Sequence, residues 1–329
     1  MIDLKAARAY VVRNSISRSL EGISLVSRAI LPMAKPEVHG VEILRDLSYG
    51  PHPVAHRLDV YRKPGVENAP VVLYLHGGAF RILSKDTHWT MALQFASRGY
   101  VVVVINYRLA PKYPFPAAIE DACDAYRWVV EHAAELGGDP QRVLVSGESA
   151  GGNLSLALTL ATCTPFEAPF ARRVFETGRV PAVSLPLCGV LQVTDTARFR
   201  RRRPIPTWLN DVIVGVERDY LRNGVTGADP HLADPLLFLE SDAPTARPLP
   251  PIFASCGTKD PLLDDHRRLV AALERRGVRH EAPVYPGMVH AFQAVPMLEA
   301  TKAQWARAFE FIEAALGAPS EARGHAAVG

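Results

Sequence analysis

The sequence predicts an α/β fold, with a mostly parallel central sheet flanked by helices and a helical cap (lid) above it. Three observations carry this. Val71 to Leu75, Val101 to Ile105 and Val143 to Val145 are continuous apolar runs, the pattern of strands buried on both faces. Segments of helical spacing separate them, and that alternation reads as βαβ units with right-handed crossovers. The rhythm then fails over residues 194–250, which are rich in Arg, Pro and Asp and too long for an ordinary loop. They read as a cap insertion.

Taken in order, residues 1–40 place Ile16, Leu20, Ile23, Val26 and Ile30 at helical spacing ahead of any strand, so they are expected to contribute helices to the cap. Val41 to Leu47 and His56 to Tyr61 read as strands around the turn-rich SYGPHP. Asp86 to Arg98 and Ala117 to Glu135 read as helices, the second with a stripe of Ala118, Ala122, Tyr126, Val129 and Val130. Within the insertion, Trp208 to Leu221 has helical character. Val183 to Leu191, Ile252 to Cys256 and Glu281 to Tyr285 are further strands, and Asp264 to Arg276 and Ala300 to Leu316 further helices. The core is thus expected in two parts, 41–193 and 251–317, followed by a small, polar, flexible tail over 318–329.

A net charge of +3 on 329 residues points to neither nucleic acid nor membrane as a partner. The first residues lack the apolar stretch of a signal peptide, and no run approaches the roughly 18 apolar residues of a spanning helix. A cytoplasmic protein without stable membrane insertion is expected. Cys123, Cys163, Cys188 and Cys256 lie far apart without metal-ligand spacing and read as reduced core thiols. The basic run Arg198-Phe199-Arg200-Arg201-Arg202-Arg203 reads as a solvated surface loop, with an anion site or a protein contact as the alternatives. The last helix could add a homodimer contact, with packing inside one chain as the default.

The chemistry is concentrated in four places. Gly147-Glu148-Ser149-Ala150-Gly151 fits G-x-S-x-G, between an apolar strand and a small-residue helix. In that setting a sharp turn presents Ser149 as a nucleophile, and glycines at both flanks remove Cβ atoms that would clash. An attacked carbonyl needs preorganised donors for its developing oxyanion. His76-Gly77-Gly78-Ala79, directly after the Val71 to Leu75 strand, provides a loop where the N–H groups of Gly78, Ala79 and Ala150 could converge. His76 and Gly77 support that loop. The acid should follow a late strand: Asp260 is preferred over Asp264 and Asp265, which look like the start of a helix. The base should follow the next strand, where His290 stands in a loop opened by Pro286 and Gly287. His88, His132 and His266 read as structural or surface groups.

These residues resemble the hormone-sensitive-lipase-like esterases of the α/β-hydrolase superfamily. The text that carries the resemblance is LYLHGGAF, VVINYRLAPKYPFPAAIEDA, GGDPQRVLVSGESAGGNL, CGTKDPLLDD and VHAF. It implies the α/β-hydrolase fold, Ser149 as nucleophile, His290 as base, Asp260 as its orienting acid, and Gly78, Ala79 and Ala150 as oxyanion donors. It also implies a cap built from the N-terminal helices and the insertion. Ala79 stands where the family usually has a third glycine; it can serve if its φ is negative. Glu148 stands where aspartate is more common and is expected to brace the turn through hydrogen bonds.

The function expected is a serine carboxylic ester hydrolase acting on small-molecule esters of short to medium acyl chains through an acyl-enzyme, with no metal or organic cofactor. Phe80 and Trp208 are candidates for pocket walls or for plain packing. The rivals are an amidase or arylformamidase using the same triad, and a non-catalytic ligand-binding relative.

Overall fold

A computed structural model describes residues 19–317, apart from Leu20, Glu21, Leu25, Ala29 and Arg203 and the side chains of Arg202 and Trp208. Most of the expected N-terminal helix and the whole 318–329 tail lie outside the described residues, although residues 22–24, 26–28 and 30 are helical.

The strands are β1 (Glu42–Ser48), β2 (Arg57–Arg62), β3 (Ala69–Leu75), β4 (Val101–Ile105), β5 (Gly138–Glu148), β6 (Ser184–Leu187), β7 (Ile252–Phe253), β8 (Cys256–Gly257), β9 (His280–Glu281) and β10 (Val284–Tyr285). Eight of them form one sheet in the order β1-β2-β4-β3-β5-β6-β7-β9, and β8 pairs with β10 as a short second sheet. The β1–β2 and β2–β4 pairs are antiparallel; every other pair is parallel.

The apolar runs are strands because both faces of the sheet are covered. Side chains alternate between faces. Val71, Leu73, Leu75, Val101, Val103, Ile105, Val143 and Val145 enter one hydrophobic cluster. There they meet Ile119 and Val129 of α2 (Ala117–His132) and Leu154 and Leu158 of α3 (Ala150–Cys163). Val72, Tyr74, Val102, Val104 and Leu144 point the other way, toward Trp89 and Phe95 of α1 (Trp89–Ala96) and Trp305, Phe309 and Ile312 of α9 (Glu299–Leu316).

Several local readings are corrected. The helix expected from Asp86 begins instead as a 3-10 turn over Lys85–His88, capped by the Ser84 side chain. The strand expected to continue to Leu191 ends at Leu187, because Cys188 adopts φ +36° and donates its N–H to Ser255 O at 2.9 Å. After the helix α4 (Pro169–Glu176), the 194–250 stretch holds α5 (Arg198–Arg202), α6 (Thr207–Tyr220) and α7 (Pro235–Glu240). The basic run is therefore largely helix, not loop. Its first residue, Arg198, is buried against Asp265 of α8 (Leu263–Arg275), with Nε 3.1 Å from Oδ1. Among the described residues no helix is long and apolar enough to cross a membrane.

Candidate active site

Register brings the first two motifs together. In the parallel β3–β5 pair, Leu75 lies opposite Gly147, so the loop after β3 and the turn after β5 leave the sheet side by side. This is the carboxyl end of the strands, where α/β sheets bind ligands. The turn is as sharp as the motif demands. Ser149 sits between the last residue of β5 and the first of α3 with φ 57° and ψ −114°, a conformation that costs an L-residue free energy and persists only when its surroundings fix it. They do: Ser149 N–H donates to Leu187 O at 3.0 Å, and Ser149 O accepts from the N–H groups of Asn153 and Val190 at 3.1 and 3.2 Å. The flanking glycines are required by contact. A Cβ on Gly147 would stand 2.5 Å from Gly151 O, and one on Gly151 would stand 1.9 Å from Leu75 O.

The loop over residues 76–80 is fixed by Glu148. Its Oε1 accepts from Gly77 N–H and from His88 Nε2, both at 2.6 Å, and its Oε2 accepts from Tyr74 OH. Burial alone would raise the Glu148 pKa, yet the His88 charge beside it holds it below the ordinary carboxylate value. Burial would likewise lower His88, yet Glu148 raises it above the ordinary imidazole value. His88, expected to be structural, is thus one half of a buried ion pair. His76 stacks on Tyr107 with ring centroids 4.2 Å apart, and burial pushes its pKa down to about 3, so it stays neutral.

Within this loop Gly78 has φ +113°, and Ala79 has φ +56°, so the negative φ set as the condition for Ala79 to serve as a donor is not met; the positive φ costs strain but leaves its N–H in place. Among the described residues no hydrogen bond engages the N–H of Gly78 or of Ala79. Ala150 opens α3, and the first N–H groups of a helix have no partner within it. Phe80 is fully buried and its ring stacks on Tyr220 of α6 at 3.9 Å, so it serves as packing between loop and insertion. Trp208 lies in α6, with its side chain outside the description.

The acid and base expectations converge through β8 and β10. Their parallel pairing, Cys256 with Val284 and Gly257 with Tyr285, sets the two following loops side by side. Lys259 N–H donates to Met288 O at 2.9 Å, and Gly287 N–H to Thr258 Oγ1 at 2.8 Å. Asp260 is fully buried; its Oδ2 lies 2.8 Å from His290 Nδ1, and its Oδ1 accepts from Leu262 N–H at 2.8 Å. Of the two competing carboxylates, Asp265 is committed to Arg198, and Asp264 lies 3.7 Å from Arg267. Burial would lower the His290 pKa, but the Asp260 carboxylate holds it well above the ordinary value of 6.5. Among the described residues no hydrogen bond closes between Ser149 Oγ and His290, the looser geometry common before substrate binds.

One neighbour of this pair was not foreseen. Cys188, grouped by sequence with three ordinary core thiols, offers Sγ within 4.8 Å of ligand atoms of both Asp260 and His290. The sequence carries no local signal for it, because a strand read as running to Leu191 places Cys188 inside that strand.

A family model described as the alpha/beta hydrolase fold matches residues 72–294. The chain belongs to this family, in the hormone-sensitive-lipase-like branch that its motifs resemble. Among individual proteins it is similar to the carboxylesterase NlhH of Mycobacterium tuberculosis, with 37% identity over 71% of this chain and 70% of that one. It is also similar to an ethyl acetate hydrolase of Pseudomonas putida, 35% identical over 72% of each chain. Among solved structures, the esterase LipW of Mycobacterium marinum superposes with a TM-score of 0.74 at 26% identity, over 96% of this chain and 93% of that one.

Proposed function

We propose that this chain hydrolyses carboxylic esters of short to medium acyl chains through an acyl-enzyme on Ser149. The observation that carries the reading is the strained turn at Ser149, set at the same sheet edge as the hydrogen-bonded pair of buried Asp260 and half-buried His290. In the reaction, His290 Nε2 takes the Ser149 proton as Oγ attacks the ester carbonyl. Asp260 holds the ring by Nδ1 and stabilises the imidazolium that forms. The N–H groups of Gly78, Ala79 and Ala150 receive the oxyanion. His290 then protonates the leaving alcohol, and a water molecule repeats the sequence on the acyl-enzyme. The ethyl acetate hydrolase among the relatives supports the short-chain preference.

Residues 194–250 act as the cap over this site, and most of the 1–40 segment expected to join them lies outside the described residues. Support comes from the ties between insertion and oxyanion loop: the Phe80–Tyr220 stack and an Arg81–Asp219 ion pair at 2.8 Å. The four free, buried cysteines support a reducing, cytoplasmic location.

The test is turnover of a nitrophenyl ester series from acetyl to decanoyl by the wild-type chain, Ser149→Ala and His290→Ala. The expected result is steady turnover that is fastest on the shorter acyl chains and abolished in both variants. Turnover surviving Ser149→Ala would remove the nucleophile assignment, and inertness toward every ester would redirect the search to amides and formamides.

A further inference from the structure

Cys188, Asp260 and His290 combine three ligand types that share a preference for one kind of ion. Thiolate sulfur, imidazole nitrogen and carboxylate oxygen are the usual donors to Zn2+, and three protein ligands with a fourth position left open is a common zinc arrangement. Here one atom from each residue lies within 4.8 Å of the other two. In a tetrahedral zinc site such atoms stand about 3–4 Å apart, so modest side-chain rotation would close the trio on a cation.

The surroundings of each donor are already arranged. Gln293, 1% exposed, points its amide Nε2 at Cys188 Sγ from 3.1 Å, so the sulfur is placed as an acceptor. Among the described residues the other amide atom, Oε1, has no hydrogen-bond partner. Asp260 Oδ1 is held by Leu262 N–H, leaving Oδ2 toward the cluster. Such outer hydrogen bonds orient metal ligands and tune them. Cys256 packs beside the cluster, its thiol lying 3.7 Å from Gly257 O and also against the Asp260 carboxylate.

We propose that Cys188, Asp260 and His290 form a binding site for a soft divalent cation of the Zn2+ type, and that occupancy switches the hydrolase off. Binding forms a sulfur–metal bond and releases the Cys188 thiol proton to solvent. The cation also takes one imidazole nitrogen. At Nδ1 it displaces the proton that bonds Asp260, which moves to Nε2 of the neutral ring or, from the imidazolium, leaves to solvent, so that Nε2 is left protonated; at Nε2 it occupies the lone pair that would accept the Ser149 proton. The base is lost in either case. The cation site rests on the three donors alone, whereas the inhibitory effect also rests on the proposed esterase reading.

The experiment titrates Co2+ into the reduced, metal-free full-length chain while following the thiolate-to-cobalt absorption. Ester hydrolysis is measured in parallel against Zn2+. Cys188→Ser, which keeps an acceptor for Gln293, and Cys188→Ala are compared, with circular dichroism and metal-free turnover reporting that each is folded. The proposal expects one Co2+ per chain with a thiolate band, Zn2+ inhibition reversed by a chelator, and loss of the band in both variants. The Zn2+ needed for half-inhibition should rise about 10-fold or more, since even outer-shell partners of a metal are worth that much. A thiolate band that persists in the variants, inhibition that does not depend on Cys188, or no cobalt absorption at all would overturn it. A Cys188-dependent band on a chain that hydrolyses no ester would support the cation site and overturn the esterase reading instead.

Discussion

The side of the site proposed to supply the nucleophile grows from β3 and β5, strands of seven and eleven residues, and Glu148 at the end of β5 ties the elbow to the proposed oxyanion loop through Gly77, His88 and Tyr74. The proposed acid and base, Asp260 and His290, stand instead on loops after β8 and β10, strands of two residues each, and the His290 side chain is 31% exposed. One half is fixed by a buried charged network and the other by a few backbone bonds between neighbouring loops. The difference locates the adjustable part: the oxyanion donors must be placed before substrate arrives, because preorganisation is what makes them effective. The base can close on Ser149 as the substrate binds.

The comparison breaks most visibly on the looser side. Asp260→Asn removes the charge that orients His290 and should lower kcat by about 10⁴-fold, the loss seen when a triad acid is neutralised without disturbing the geometry. Only neutral His290 can accept the Ser149 proton, so wild-type kcat/KM should rise with pH through a pKa above 6.5, where Asp260 holds it. In Asp260→Asn the residual activity should inflect at lower pH. An unchanged inflection would mean that another group controls the profile.

On the rigid side the expected loss is in stability. Glu148→Ala leaves His88, Gly77 N–H and Tyr74 OH without their buried acceptor, and breaking a buried pair in this way costs about 3–5 kcal/mol. The pair also sets a pH window. His88 is raised above 6.5, so its contribution is full below that value and fades as pH climbs through the raised pKa. Glu148 is lowered below 4.5, so its contribution is full above that value and fades as pH falls through the lowered pKa. His88→Gln should therefore lose most stability relative to wild type between those two values and converge with it at alkaline pH. Thermal unfolding of both proteins across pH checks this; parallel curves would show that the pair does not titrate as described.

What the sequence makes legible follows the same division. The buried strands are legible because apolar runs covered on both faces have no other stable home, and the elbow because its glycines leave a local signature. Asp260 and His290 can be named because each follows a strand in the order the chemistry needs, and they do meet by a hydrogen bond. Contacts between distant segments leave no such trace. Arg198 and Asp265 are separated by 67 positions, and Cys188 and Gln293 by 105. Nothing local marks Arg198 as buried, or distinguishes Cys188 from the three other thiols. The positive φ of Ala79 is hidden for a related reason, since alanine in a glycine-type loop suggests the conformation that alanine prefers.

That last position provides the smallest and most discriminating test. At φ +56° Ala79 pays the left-handed penalty of about 1–2 kcal/mol that L-residues carry and glycine does not. Ala79→Gly relieves it, while the added freedom of glycine in the unfolded chain takes back about 0.4–1 kcal/mol. A net gain between about 0 and about 1.6 kcal/mol is expected in denaturant unfolding. The N–H of residue 79 is present in both chains, so kcat on acetyl esters should change little if Glu148 and Gly77 hold the loop in place. A large fall in kcat with stability unchanged or improved would show that the Ala79 methyl itself keeps the oxyanion loop in position, and that the network through Glu148 is not sufficient.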